Sequence, residues 1–236
     1  MSQLRNSLAD PRLRQRIASE WGLEPAAVDA LLAPATLRQF SRGAAIIPQG
    51  TARSSLFIVV DGEVSLSVLL PNGQRILCAL YHPGALFGFP LTDVERPRWS
   101  AAEAFTNATI ALVPRRDFER IAAGLSAGAL MRFFNKVLER QARFGMRLAH
   151  CVALDLRGRL ALTLVDLGNT FGARDSNGLR IDLPLTHENL AEMVGASRER
   201  VSKAMASLMI DELIDYRRGS ITLHNLDGLR EAATPK

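Results

Sequence analysis

The run T186-HENLAEMVGASRERVSKAMASLMIDEL-I214 contains two amphipathic stretches joined at Gly195-Ala196-Ser197. Glycine supplies the turn between them, and Ser197 stands where an N-cap would open the second helix. In the first stretch Leu190, Met193 and Val194 form the apolar face, with Ala191 small enough for close helix approach. In the second, Val201, Ala204, Met205 and Leu208 form a buried stripe, which leaves Arg198, Glu199, Ser202 and Lys203 on the opposite face. Arginine and lysine donate to guanine O6 and N7, glutamate accepts from cytosine N4, and serine binds a phosphate or a base edge. The pattern predicts a helix-turn-helix whose second helix reads a DNA groove.

Downstream, LIDYRRGSITLHNL alternates as strands do around Arg218-Gly219-Ser220, the expected hairpin of a wing. Candidate backbone contacts are Thr186, Ser197, Arg217, Arg218 and Ser220, and the two arginines are placed to meet phosphates. Upstream, a helix through RGRLALTLVDLGNTFG stops at glycine, and RIDLPL reads as a short strand before Thr186. His187-Glu188 begins a zinc-protease pattern, but Ala191 occupies the second histidine position, so it is read as a surface pair.

Further upstream, Leu130, Val137, Phe144 and Cys151 recur at heptad spacing, interleaved with Phe134, Gln141 and Leu148. We read this as a dimer seam on one long helix. The other reading left open is a helix packed on its own domain. From Leu37 to Pro114 the texture is short β-rich runs (AAIIP, SLFIVV, EVSLSVLL, RILCALY, ATIALV) separated by turns such as Asp61-Gly62 and Pro71-Asn72-Gly73. These predict a small antiparallel barrel or roll. The first residues mix apolar side chains and arginine at helical spacing, broken by Pro11, Pro25 and Pro34, and read as a helical lead-in.

The expected organisation is therefore α+β: a helical N-terminal extension (1–36), an antiparallel β-roll (37–122), a dimerisation helix (123–154) and a winged helix-turn-helix (155–236). The net charge of +5 does not single out the C-terminal region. Residues 115–150 carry eight basic against three acidic groups, whereas 151–236 carry eleven against twelve. The case for DNA must rest on where individual side chains point. No run approaches the roughly 18 apolar residues of a membrane span, and the first residues lack an apolar signal core, so a cytoplasmic protein without a membrane partner is expected.

Cys78 and Cys151 form no C-x-x-C pair and are expected to be reduced structural thiols. His150 and Cys151 are adjacent on a helix and diverge by about 100 degrees, which does not suit a shared metal. Neither a phosphate-cradling G-x-x-x-x-G-K-[ST] nor a G-x-S-x-G elbow occurs, so neither an enzyme nor a metal site is expected.

Taken with the wing and the seam, Thr186–Ile214 resembles the signature of the Crp/Fnr family (cyclic-AMP receptor protein / fumarate-nitrate regulator) of bacterial transcription regulators. The resemblance runs from about Leu37 to Leu226. Its anchors are Gly195, Ser197-Arg198-Glu199, Val201 and Leu213-Ile214, with Asp155-Leu-Arg-Gly-Arg159 as the hinge into the DNA-binding domain. It implies a homodimer on double-stranded DNA with pseudo-palindromic, TGTGA-like half-sites, and RNA polymerase as a further partner. Arg198 and Glu199 would read a G·C pair, and Lys203 stands where the cyclic-AMP branch has a second reading arginine. A lysine is a point donor rather than a fork, so reading at that base would be looser.

The resemblance also makes the β-roll a cyclic-nucleotide-binding-like, jelly-roll sensor with its pocket at Phe87, Gly88, Phe89, Arg98, Trp99, Arg140 and Phe144. The stretch Leu86-Phe87-Gly88-Phe89-Pro90-Leu91 departs from the nucleotide-binding pattern, because Phe89 replaces the glutamate that holds ribose. Losing that carboxylate removes charge-assisted hydrogen bonds and argues against cyclic AMP bound in the usual manner. Arg98 stands near the phosphate position with Trp99 beside it. Arg140 matches an effector-facing arginine, and Phe144 and Gly145 replace the hydroxyl residues that touch adenine. Two arginines beside apolar walls suit a small anion, and the stretch is similar to that of 2-oxoglutarate-responsive nitrogen regulators. The effector expected is 2-oxoglutarate-like or a nucleotide. Equally open is a pocket that binds nothing, with both arginines in ion pairs, in a protein active without effector. Haem held by Cys78 and His82 is set aside, since neither matches the positions that gas-sensing relatives use. The reading from another class is a ligand-binding or scaffold module whose helix-turn-helix serves protein interaction.

Overall fold

A computed structural model describes residues 7–52, 54–89, 97–217 and 219–233. Arg218 of the wing, and Pro90 and Leu91 of the sensor stretch, lie outside the described residues. The chain divides into two compact units, Met1–Ala142 and Arg143–Lys236.

In the first unit the run SLFIVV forms β3 (Ser55–Asp61), and its apolar continuity follows from burial on both faces. Successive strand side chains point to opposite sides. Leu56, Ile58 and Val60 enter one core, whereas Phe57 and Val59 enter another. Around it stand β1 (Thr36–Phe40), β2 (Ala45–Ile47), β4 (Val64–Leu69), β5 (Arg75–Tyr81), β6 (Leu86–Phe87), β7 (Ala101–Ala104) and β8 (Ala108–Pro114). They make two four-stranded antiparallel sheets, ordered β1-β8-β3-β6 and β2-β7-β4-β5. This is the expected roll, and its interior is filled by Phe57, Val59, Val64, Tyr81, Phe87 and Ile110.

The helices α1 (Pro11–Trp21) and α2 (Pro25–Leu32) do more than lead in. Leu13, Ile17 and Trp21 of α1 and Val28, Leu31 and Leu32 of α2 share a core with the outer side chains of β3 and with Phe118 and Phe133. Phe118 lies on α3 (Arg115–Ala123) and Phe133 on α4 (Ala127–Ala153), the single long helix read from the heptads. The guanidinium of Arg132 on α4 donates to the Gly22 carbonyl at 3.1 Å and pairs with Glu24 at 2.9 Å, so the segment between α1 and α2 is fastened to the long helix.

The second unit contains α5 (Leu156–Phe171), β9 (Gly172–Asp175), β10 (Gly178–Ile181), α6 (His187–Val194), α7 (Arg198–Ile210), β11 (Ile214–Arg217), β12 (Ser220–Leu223) and α8 (Leu226–Glu231). Asp155 caps α5 by accepting the Gly158 amide at 2.8 Å. The expected wing hairpin forms between β11 and β12, with Arg217 opposite Ser220, and it belongs to a larger sheet. Its four strands run β11-β12-β10-β9, and the strand read at RIDLPL is instead Gly178–Ile181, paired with β9 on one side and β12 on the other.

Candidate nucleic-acid interface and effector cavity

Thr186 opens α6 with a capping box: its hydroxyl accepts from the Asn189 amide and Asn189 Oδ1 accepts from the Thr186 amide, both at 3.1 Å. Thr186 Oγ1 also lies 2.9 Å from Asn189 Oδ1, so the hydroxyl expected on a phosphate is engaged in holding its own helix. Gly195 ends α6 at φ 66°, a left-handed conformation that only glycine adopts without strain, and Ser197 caps α7 by accepting from the Arg200 amide. Arg159 steadies the turn from behind, its Nε donating to the Val194 carbonyl at 3.2 Å and its Nη1 to the Leu154 carbonyl at 3.1 Å.

Val201, Ala204, Met205 and Leu208 of α7 are buried as expected. Arg198, Glu199 and Lys203 are exposed, as is Arg200, a further polar side chain on this helix that the sequence reading passes over. Glu199 sits in the first turn of α7, where a carboxylate complements the helix dipole. Ser202 departs from expectation. It is half-buried, its Oγ lies 3.0 Å from the Arg198 carbonyl one turn back and 2.7 Å from His187 Nδ1, and it therefore faces α6 rather than outward. His187 is correspondingly half-buried and not the surface residue expected; its ring lies 5.0 Å from that of Tyr216.

On the wing, Arg217 is exposed and pairs with Asp215 at 2.8 Å. Ser220 turns inward, its hydroxyl directed at the Ile181 carbonyl at 3.4 Å, which removes its proton from the expected phosphate contact.

The apolar line that α4 exposes shares Phe134, Gln141 and Leu148 with the expected seam and stands one position on from it at the remaining steps. It comprises Met131, Leu138 (49 %) and Val152 (84 %), with Gly145 at the third step, flanked by Phe134, Gln141 and Leu148 (69 %). Of the residues expected opposite them, Val137 packs on the core of its own unit and Phe144 is half-buried, while Leu130 and Cys151 remain exposed. The sequence cannot place a stripe to better than one residue when both sides of it are apolar, and here positions 130, 137 and 144 are as apolar as 131, 138 and 152.

In the first unit a cavity of about 160 Å³ opens among Phe87, Gly88, Phe89, Arg98, Trp99 and Arg140, with Tyr81 and Ser100 also in its wall. Phe144, expected beside Arg140, is not among its lining residues. Arg98 is 7 % exposed, and its guanidinium donates to the carbonyls of Ala52, Ser55 and Gly88 at 3.3–3.4 Å. Arg140 donates to the Leu86 carbonyl at 2.7 Å and lies over the Tyr81 ring, 4.4 Å from its centroid. Gly88 holds φ at 68°, and a Cβ there would come within 2.7 Å of the Phe57 ring, so the backbone passes close beneath the cavity. Phe89 also belongs to an aromatic cluster, with ring centroids 5.4 Å from Trp21, 5.9 Å from Phe133 and 6.5 Å from Phe118. Among the described lining residues there is no carboxylate for a ribose hydroxyl.

Among the described residues no group of three or more histidine, cysteine or acidic side chains is placed to hold a metal, and no helix is long and apolar enough to cross a membrane.

Residues 37–124 match the model of a cyclic nucleotide-binding domain, and residues 158–232 that of a Crp-like helix-turn-helix domain. A CRP-like cAMP-activated global transcriptional regulator of Mycobacterium tuberculosis is 31% identical over 185 residues, covering 78% of this chain and 82% of that one. A global nitrogen regulator of Synechococcus elongatus is 29% identical over 197 residues, 81% and 87% of the two chains. Among solved structures, a CRP-family transcriptional regulator from Thermus thermophilus superposes with a TM-score of 0.67 at 28% identity, covering 83% of this chain and 96% of that one.

Proposed function

Because the chain belongs to the Crp/Fnr family of transcription regulators, we propose that it acts as a homodimer whose two α7 helices read successive major grooves of a pseudo-palindromic site. The observation that carries this reading is on α7. Arg198, Glu199 and Lys203 project from the helix and, among the described residues, their side chains meet no ion pair or hydrogen bond, while the opposite stripe is locked in the core. Arg198 and Lys203 are the guanine donors and Glu199 the cytosine acceptor, in a TGTGA-like half-site. Arg200 and Arg217 supply phosphate contacts from the helix and the wing. The dimer forms along the exposed line of α4, and RNA polymerase is the further partner.

The control signal is a small anion held between the guanidinium groups of Arg98 and Arg140. Two features favour this over cyclic AMP. The cavity is smaller than the roughly 300–1,000 Å³ of sites for drug-sized ligands, and its described wall offers cations and aromatic faces but no carboxylate. Calorimetry with 2-oxoglutarate and with cyclic nucleotides tests the effector, and tight cyclic-AMP binding refutes it. For the DNA reading, a selected duplex should be bound with a steep salt dependence and competed poorly by random sequence. Equal competition by both would refute sequence-specific reading.

A further inference from the structure

His187, at the first position of α6, touches all three elements of the reading head and is not among the base- or phosphate-contacting residues. Its Nδ1 lies 2.7 Å from Ser202 Oγ on α7. Its ring packs 5.0 Å from that of Tyr216 on β11, whose hydroxyl donates to the Leu185 carbonyl just before α6 at 3.3 Å. Its Nε2 is buried and, among the described residues, has no hydrogen-bond partner.

These contacts fix the proton positions. Ser202 has one proton, and the Arg198 carbonyl, 3.0 Å away, can only accept. Ser202 therefore donates to Arg198 and accepts from His187, which puts the imidazole proton on Nδ1 and leaves Nε2 a bare, buried acceptor. With the proton on Nε2 instead, Ser202 would have to donate to the ring, leaving the Arg198 contact empty and a buried N–H unsatisfied, the costlier arrangement. We propose that His187 is a positioning residue for base reading: the relay His187 Nδ1–H to Ser202 O–H to the Arg198 carbonyl pins the first turn of α7, from which Arg198 and Glu199 project. Bonds in such a chain polarise one another and hold geometry more firmly than the pairs taken separately. The relay holds the backbone of Arg198 and removes no phosphate contact when it is broken, so it governs discrimination between bases rather than general attraction to DNA. This inference rests on the DNA-reading function proposed above.

The test uses the full chain and the variants His187→Ala, His187→Asn, Ser202→Ala and His187→Ala/Ser202→Ala, with affinities for a selected and a random duplex. Both single alanine variants should lower the selected-to-random ratio about ten-fold, with the double variant falling little further, because each breaks the same relay. The salt slope should be unchanged, since no phosphate contact is removed. Asparagine carries a donor where the imidazole has Nδ1 and should restore most of the ratio. In the unaltered protein, the ¹⁵N spectrum of the His187 ring should show the Nδ1-protonated tautomer, and Ser202→Ala should release it. An unchanged ratio in Ser202→Ala, equal losses on both duplexes, or an Nε2-protonated ring overturns the relay; Ser202→Ala and the spectrum keep the test decisive should His187→Ala fail to fold. If the unaltered protein itself binds both duplexes equally, it is the DNA-reading function that fails, and the spectrum then reports on the relay's geometry separately.

Discussion

Replacing Leu148 by alanine tests the α4 seam most directly, since Leu148 belongs to it in either register. Full burial of a leucine side chain is worth roughly 1.5–3 kcal/mol. Since 69 % of Leu148 is exposed in the protomer, a second copy that covers it gains on the order of 1–2 kcal/mol from each chain. A symmetric dimer loses that amount twice, on the order of 2–4 kcal/mol, which weakens dimerisation about 30- to 1,000-fold. The thermal stability of the separated protomer should hardly change, because the side chain makes little contact there. Val137→Ala is the counterpart. Val137 packs inward on the core of its own unit, so its truncation should cost stability of about 1 kcal/mol and leave the dimer constant within a few-fold. Sedimentation equilibrium across a concentration series, with melting curves for each variant, separates the two effects. A dimer that survives Leu148→Ala and dissociates in Val137→Ala would place the seam on the other side of the helix, and an unaltered protein that stays monomeric at all concentrations would remove it.

Glu199→Ala should relax base preference with little loss on random DNA, whereas Arg217→Ala should weaken selected and random duplexes alike and lower the salt slope by about one unit; anisotropy titrations at several salt concentrations distinguish them. Phe89→Glu, which installs the carboxylate of nucleotide-binding relatives, should not create a cyclic-AMP site. It places a charge against Trp21, Phe118 and Phe133, at a cost of about 2–4 kcal/mol and a fall in Tm on the order of 5–10 °C, and a stable variant that binds the nucleotide would contradict the assignment.

What the sequence disclosed was what short-range physics determines. The cap at Ser197, the turn at Gly195 and the stripe Val201-Ala204-Met205-Leu208 are set within a few residues of one another, and all are found where expected; the capping box at Thr186 was not foreseen. The roll was legible because its strands are brief apolar runs punctuated by turns. Long-range packing was not legible. Nothing local in α1 and α2 shows that Trp21 and Leu31 complete the core over β3. Helical spacing assigns Ser202 outward, since it gives the direction of a Cβ but not the partner that a hydroxyl finds beyond it. The one advance signal is His187 fifteen residues upstream, whose own spacing points it to solvent.

Strand β3 divides its side chains between two cores, Phe57 on the cavity side and Ile58 against the helices. The interior of the roll and the seat of the N-terminal helices are therefore one peptide unit apart. A guest molecule that displaced Phe57 would shift the seat of Trp21 and Phe133 by way of the same backbone, with no hinge or relay between. So short a connection also narrows the choice of residues along this strand, since any side chain chosen to improve one core must be tolerated by the other.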